Sequence, residues 1–326
     1  MAAKQCIFLL LFYAVFNGMN TQRAQNEVTL DEVLSRSLVN KRDPWEHVYS
    51  RPLRCFDMVA SEGLFTFTSE HAHLNCGVFF IGEPNEVIDL KLNMVDLDCS
   101  QGDILKVFDG WLMNGDIFPS SLDHPLPLGE RYVDLCAAKA TAAAAGAVDK
   151  GLFRSSQNVA MLLFRVHAAK KGFSVTMKKR INPFPCNIIS QTPVGSFTMV
   201  IPHQRRNCSF SIIYPVEVQI TKLSLDQSQS NDIALERPHG DCAESSDYVV
   251  VLGGSVIDTS KMFPVSDLCF FPHSQTQMKI GCDNTAVRLV ASGRYINRVS
   301  FQYRLLERGE LLKVKRNTVE DVCSVK

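Results

Sequence analysis

The chain has 326 residues, with 34 Lys+Arg against 34 Asp+Glu and a formal net charge of zero. Length of this order points to about two domains. The neutral balance excludes a basic footprint for nucleic acid or an anionic membrane, and an apolar fraction of 46% excludes general disorder.

In chain order, Lys4 precedes an apolar run from Cys6 to Phe16, and polar residues resume at Asn17. Roughly 11 apolar residues are too few to cross a bilayer core, which needs about 20. A basic residue followed by a short apolar core is the pattern of a secretory signal. Residues 1–19 are therefore expected to be a signal peptide, and the mature chain to be secreted and extracellular. No later stretch is apolar enough to span a membrane, so no membrane span is expected. Residues 20–50 read as a polar N-terminal segment. The dibasic pairs Lys41-Arg42 and Lys315-Arg316 read either as processing sites or as solvated charge.

Removing the signal removes Cys6 and leaves ten of the 11 cysteines. An even count in an oxidising compartment reads as disulfides. Asn207-Cys208-Ser209 is a glycosylation sequon, which agrees with export.

The two halves repeat each other. Gly63-Leu-Phe-Thr66 follows Cys55, and Gly195-Ser-Phe-Thr198 follows Cys186. Cys76 and Cys208 each open an apolar run. Cys99 leads to Asp103 and ILKVF, and Cys242 leads to Asp247 and YVVVL. Asp-Leu-Cys then recurs at 134–136 and 267–269. Asn158 and Asn284 open further apolar runs, which lead to FSVTM (173–177) and VSFQY (299–303). Six matches in one order argue for a tandem duplication. The runs are short, rich in Val, Ile, Phe and Thr, and punctuated by Gly, Pro, Asn and Asp. Strands are expected at 64–68, 87–92, 216–220 and 248–252. The expected fold is all-β, two tandem disulfide-braced antiparallel sandwiches, with domains at 51–181 and 182–306 and a tail at 307–326. If each unit is self-contained, its cysteines pair inside it. Of the pairings this leaves open, the sequential one is expected: Cys55–Cys76, Cys99–Cys136, Cys186–Cys208 and Cys242–Cys269. Cys282 is then left for Cys323, which would staple the tail. Loops of this length contribute about 3 kcal/mol each in the chain-entropy model.

Each half resembles a CUB domain, in the order Cys, apolar strand, Cys-x-x-x-Asp, Gly turn, later Cys, and Gly172-Phe173 at the last strand of the first half. From about Arg51 the chain resembles the corticotropin-releasing factor binding protein family. The stretches that carry this include LKVFDGW (105–111), DHPLP (123–127), RSSQNVAM (154–161), RNCSFSIIYP (206–215) and GCDNT (281–285). Residues 137–153 (AAKATAAAAGAVDKGLF) depart from the pattern and read as a variable loop or short helix.

The resemblance implies a secreted carrier of peptide hormones of the corticotropin-releasing-factor or diuretic-hormone type, limiting receptor activation. It implies that Arg51 and Asp57 contact the ligand through charge-assisted bonds. The alternative for these two is an ion pair that seats the first strand. Asp103 and Asp247 are weak calcium candidates, because many CUB domains place a calcium-binding acid there. Calcium needs six to eight oxygens, and His167-Ala-Ala stands where the first half should supply more acids. The favoured reading is that each aspartate bonds a loop amide. His71-Ala-His73 reads as a surface loop. Hydrolase signatures such as G-x-S-x-G and H-E-x-x-H are missing, so no enzyme, cofactor or metal is expected. The rival reading is a CUB-type adhesion or protease-accessory protein that assembles with a protein partner.

Overall fold

The computed structural model describes residues 49–136, 152–225, 242, 246–269, 276–311 and 323. The expected signal peptide, Lys41-Arg42 and Lys315-Arg316 lie outside the described residues, as does 137–151. Residues 152 and 153 correct the loop reading: they begin a strand, with Phe153 buried in the first core.

The first half contains β1 (Ser50–Pro52), β2 (Phe56–Val59), β3 (Gly63–Thr68), β4 (Leu74–Ile81), β5 (Glu86–Asp96), β6 (Ile104–Phe108), β7 (Trp111–Met113), β8 (Asp116–Phe118), β9 (Tyr132–Asp134), β10 (Leu152–Arg154), β11 (Val159–Val166) and β12 (Gly172–Ile181). Its two five-stranded sheets run β1-β3-β12-β5-β10 and β2-β4-β11-β6-β9. The second half contains β13 (Ile188–Ser190), β14 (Val194–Pro202), β15 (Arg205–Ile212), β16 (Val216–Ser224), β17 (Tyr248–Gly254), β18 (Phe263–Leu268), β19 (Thr276–Ile280), β20 (Asn284–Ser292) and β21 (Ile296–Leu305). Its sheets run β14-β21-β16-β19 and β13-β15-β20-β17-β18. Strand for strand the orders coincide, with two exceptions: β1 and the β7-β8 hairpin have no counterpart among the described strands. Even the irregularities coincide. Asn93 in β5 and Thr221 in β16 are extra residues that shift register against β12 and β21. Each is a bulge, which sharpens local twist at one place in both sandwiches.

Alternation drives the layering. In β3 the burial pattern alternates along GLFTFT, which sends Phe65 and Phe67 inward. Phe65, Phe80 and Phe173 are fully buried in the first core, and Phe210 and Phe301 in the second. Burying each such ring contributes roughly 1.5–3 kcal/mol. Five disulfides brace the edges: Cys55–Cys76, Cys99–Cys136, Cys186–Cys208, Cys242–Cys269 and Cys282–Cys323.

Tyr49–Lys326 forms one compact unit. The reason is a third apolar cluster, made from the outer face of the β4-β11-β6 sheet. Ile81, Phe108, Val159 and Met161 meet Trp111 and Phe118 of the hairpin together with Ile189 and Ile257 of the second half. Trp111 packs edge-on against Phe79 at 5.5 Å, and its indole N–H donates to the carbonyls of Phe80 and Ala160. Asn158 then ties the halves together. Its amide nitrogen donates to Ile189 O (2.8 Å), and its amide oxygen accepts from Ile189 N–H (3.0 Å).

Candidate functional site

The corner between β1 and β2 brings Arg51 and Asp57 together. The two strands belong to different sheets, and the Cys55–Cys76 bond pins the turn between them. Arg51 donates twice to the Asp57 carboxylate, at 2.6 and 3.2 Å. Asp57 also accepts from the Arg54 and Met58 amides. Arg51 donates to the Pro52 and Met58 carbonyls, and its guanidinium lies 5.5 Å from the Phe65 ring centroid. Desolvation, the largest influence on Asp57, pushes its carboxyl up. The Arg51 guanidinium and the two amides outweigh it and hold the carboxyl below its ordinary value. The Asp57 side chain is only 4% exposed, whereas Arg51 keeps 28%. Arg51 therefore keeps an accessible face, and Asp57 lies buried behind it. Phe56 and Met58 flank Asp57 on the outer side of β2, and both are exposed.

Asp103 and Asp247 do the same job in the two halves. Asp103 accepts from His167 N–H (2.8 Å), His167 Nδ1 (2.8 Å) and Asp98 N–H (2.9 Å). Asp247 accepts from Ser292 N–H (2.6 Å), Ser292 Oγ (2.9 Å), Asn297 Nδ2 (2.8 Å) and Ser246 Oγ (3.2 Å). Each carboxylate sits at the start of a strand, β6 or β17, and clamps the far end of the neighbouring strand, β11 or β20. Desolvation pushes both carboxyls up, but these donors hold both below their ordinary value. Among the described residues no three His, Cys, Asp or Glu side chains gather as a metal-holding group. His73 lies edge-on to His167 at 5.7 Å in its loop.

One buried cluster joins an acid, an imidazole and a hydroxyl without the order of a nucleophile triad. Asp109, His124 and Ser156 lie together in the first half, with His124 Nε2 at 3.1 Å from Asp109 Oδ2 and 3.3 Å from Ser156 Oγ. A nucleophile triad needs the acid and the hydroxyl on opposite ring nitrogens. Here both sit at Nε2. Nδ1 faces the Leu126 backbone instead, 3.0 Å from its amide nitrogen and 3.2 Å from its carbonyl oxygen. The cluster orders the 120–126 loop. Beside it, Asp123 reaches across to the second half, 2.6 Å from Arg288 and 2.7 Å from the Thr259 hydroxyl.

That loop borders a cleft of about 1050 Å³ between the halves. Arg205, Arg206 and Arg294 line it, together with Asn207, whose amide donates to Leu122 O at 3.1 Å. Sequence reading did not single out the cleft or the junction: Asn158 stood out as a repeat landmark and Asp123 within DHPLP, but nothing in either stretch says that its side chain reaches the other half.

The clusters described above fasten strand ends, a loop and the seam between the halves of a disulfide-braced double sandwich. Models of the corticotropin-releasing factor binding protein match on both sides of the linker, the N-terminal domain over residues 47–181 and the C-terminal domain over 188–312. The human corticotropin-releasing factor-binding protein is 47% identical over 98% of this chain and 97% of its own length. The Xenopus laevis protein of the same name is 48% identical over 97% of this chain and 95% of its own. The chain belongs to the corticotropin-releasing factor binding protein family. The solved CUB1-EGF-CUB2 domains of rat MASP-1 align over 78% of this chain and 100% of their own, at 10% identity and a TM-score of 0.25, an overlap too loose to carry argument.

Proposed function

We propose that this protein is a secreted carrier that captures a peptide hormone of the corticotropin-releasing-factor type and withholds it from its receptor. Full-length similarity to proteins named for that binding is the observation that supports the reading best. The physical logic needs no reaction: a bound peptide cannot occupy a receptor, and sequestration follows from mass action. A stiff sandwich pair loses little conformational freedom on binding, which favours affinity. Export is supported by the apolar N-terminal run, by five disulfides and by the absence, among the described residues, of a helix long and apolar enough to cross a membrane. In this reading Arg51 offers its exposed face to the peptide, Asp57 positions it, and Asn207 carries a glycan. Arthropod-type diuretic hormones belong to the same candidate ligand class.

The test is titration of the purified secreted protein with a panel of helical neuropeptides. Saturable, one-to-one binding of a corticotropin-releasing-factor-like member is expected. Retention of large extracellular proteins alone would instead favour the adhesion or protease-accessory role.

A further inference from the structure

The two halves differ at one sheet edge. In the first, β1 lies parallel against β3, with Ser50, Arg51 and Pro52 opposite Leu64, Phe65 and Thr66. Tyr49 O accepts from Leu64 N–H, and Leu53 N–H donates to Thr66 O, both at 2.8 Å. The counterpart of β3 is β14, which among the described residues pairs with β21 alone. Counting back from Cys186, the residues that would supply a second β1 are Ile181, Asn182 and Pro183. Ile181 is already the last residue of β12, paired with Glu86. Asn182 and Pro183 form the linker, and its proline offers no N–H. The linker is too short to supply both strands, so among the described residues no strand covers this edge of the second half.

Backbone parity shows which groups face outward. In an antiparallel pair, residues alternate between bonding the partner and pointing away. His203 N–H donates to Tyr295 O at the end of the β14-β21 ladder. Odd-numbered residues of β14 therefore bond β21, and Val194, Ser196, Thr198, Val200 and Pro202 direct their backbone away from the sheet. Pro202, with no N–H to offer, falls in the outward set. Ser196 N–H and Thr198 O correspond to Leu64 N–H and Thr66 O, the two groups that β1 satisfies. Among the described residues, no hydrogen-bond partner for either is recorded.

Beside this edge, Arg298 stands opposite Val200, and Lys222 lies one strand further over, opposite Ser300. Both are exposed, and neither forms an ion pair among the described residues. A concavity of about 310 Å³ runs along the same face, lined in part by Ser196, Thr198, Ser300 and Gln302. An unpaired edge is a template for strand addition. Arg298, one strand in from the edge on the same exposed face, complements an acidic side chain on whatever adds there; Lys222, on β16, lies beyond its reach.

We propose that the bare edge of β14 takes up an extended, acid-bearing stretch of the captured peptide as an added strand, in the place that β1 fills in the first half. The proposal rests on the peptide-capture reading. Ser196 N–H and Thr198 O make the main-chain bonds, and Arg298 selects the acid.

The test uses the full secreted protein and a synthetic corticotropin-releasing-factor-type peptide, followed by fluorescence anisotropy. Ser196→Pro removes one outward N–H and leaves the β21 ladder intact. It should weaken binding by about tenfold or more, with circular dichroism and the unfolding midpoint near wild type. A second arm leaves the protein untouched: the peptide is N-methylated one residue at a time. Losses that alternate with period two over a short window are expected. Wild-type affinity for Ser196→Pro, or losses without alternation, would overturn the added strand while leaving capture standing. No binding by the wild type would overturn capture itself, and the strand with it. If sedimentation showed a wild-type dimer that Ser196→Pro returned to monomer at unchanged peptide affinity, the edge would belong to a second copy and the proposal would be wrong.

Discussion

The first and second sandwiches share strand order, bulge position and an aspartate clamp, yet they meet their surroundings differently. The first closes one sheet edge with β1 and covers one sheet face with the Trp111–Phe118 hairpin. The second shows neither among the described residues. The elements present in the first half alone form the Arg51–Asp57 corner and contribute the hairpin to the junction. One scaffold thus serves as a support in one half and, among the described residues, keeps an unpaired edge in the other.

The largest effect should come from the hairpin. Trp111→Ala removes a fully buried ring between the halves and two indole hydrogen bonds, at a cost of about 3–5 kcal/mol. Denaturant unfolding should separate from one transition into two, because the shared apolar layer is what couples the sandwiches. A single transition with an unmoved midpoint would break the comparison.

Next come the clamps. Asp103→Asn and Asp247→Asn each leave buried donors facing an amide, at about 1–3 kcal/mol. The two losses should be similar in chemical denaturation. A large inequality would show that the halves do not use the clamp alike.

The same clamps set an acid dependence. Asp57, Asp103 and Asp247 are all held below the ordinary value of 3.8. A carboxyl depressed in the folded state contributes stability that is fully present above its unfolded value. That contribution is lost as pH falls through the folded value. The unfolding midpoint should therefore hold steady down to about pH 4 and then fall. The double variant Asp103→Asn, Asp247→Asn should fall less steeply below that point.

The smallest effect is expected at Arg51→Ala. Its guanidinium is about a third exposed, so screening keeps the loss near 1 kcal/mol. Hydrogen exchange at the Leu53 and Leu64 amides should quicken as β1 loosens. Asn182→Ala, at the corresponding place before Cys186, should leave the amides of β14 unchanged.

The all-β architecture was legible because GLFTFT and its kin alternate with period two and because Gly, Asp-Leu-Cys and Asn landmarks recur in order. The junction was not legible. Met161 and Val159 on the outer face of β11 read like Leu162 and Phe164 on its inner face, so sequence cannot say that both faces are covered. The corner was half legible: Arg51 and Asp57 stood out beside Cys55, but only geometry shows one behind the other. The bare edge was invisible, because it follows from Ile181 belonging to β12, a matter of pairing rather than residue type. Leu152 and Phe153 escaped because the alanine-rich run before them resembles a loop.

Arg131 carries a last consequence. Its guanidinium is buried over the Phe108 ring and donates to the carbonyls of Asp109, Phe118 and Pro119, gripping both ends of the hairpin. Burial pulls it down to about 10, still far above anything a cell compartment reaches. Acid loosens the carboxylate clamps of both halves, whereas this fastening keeps its proton as pH falls, so the seam around the hairpin should outlast the clamps in an acid titration.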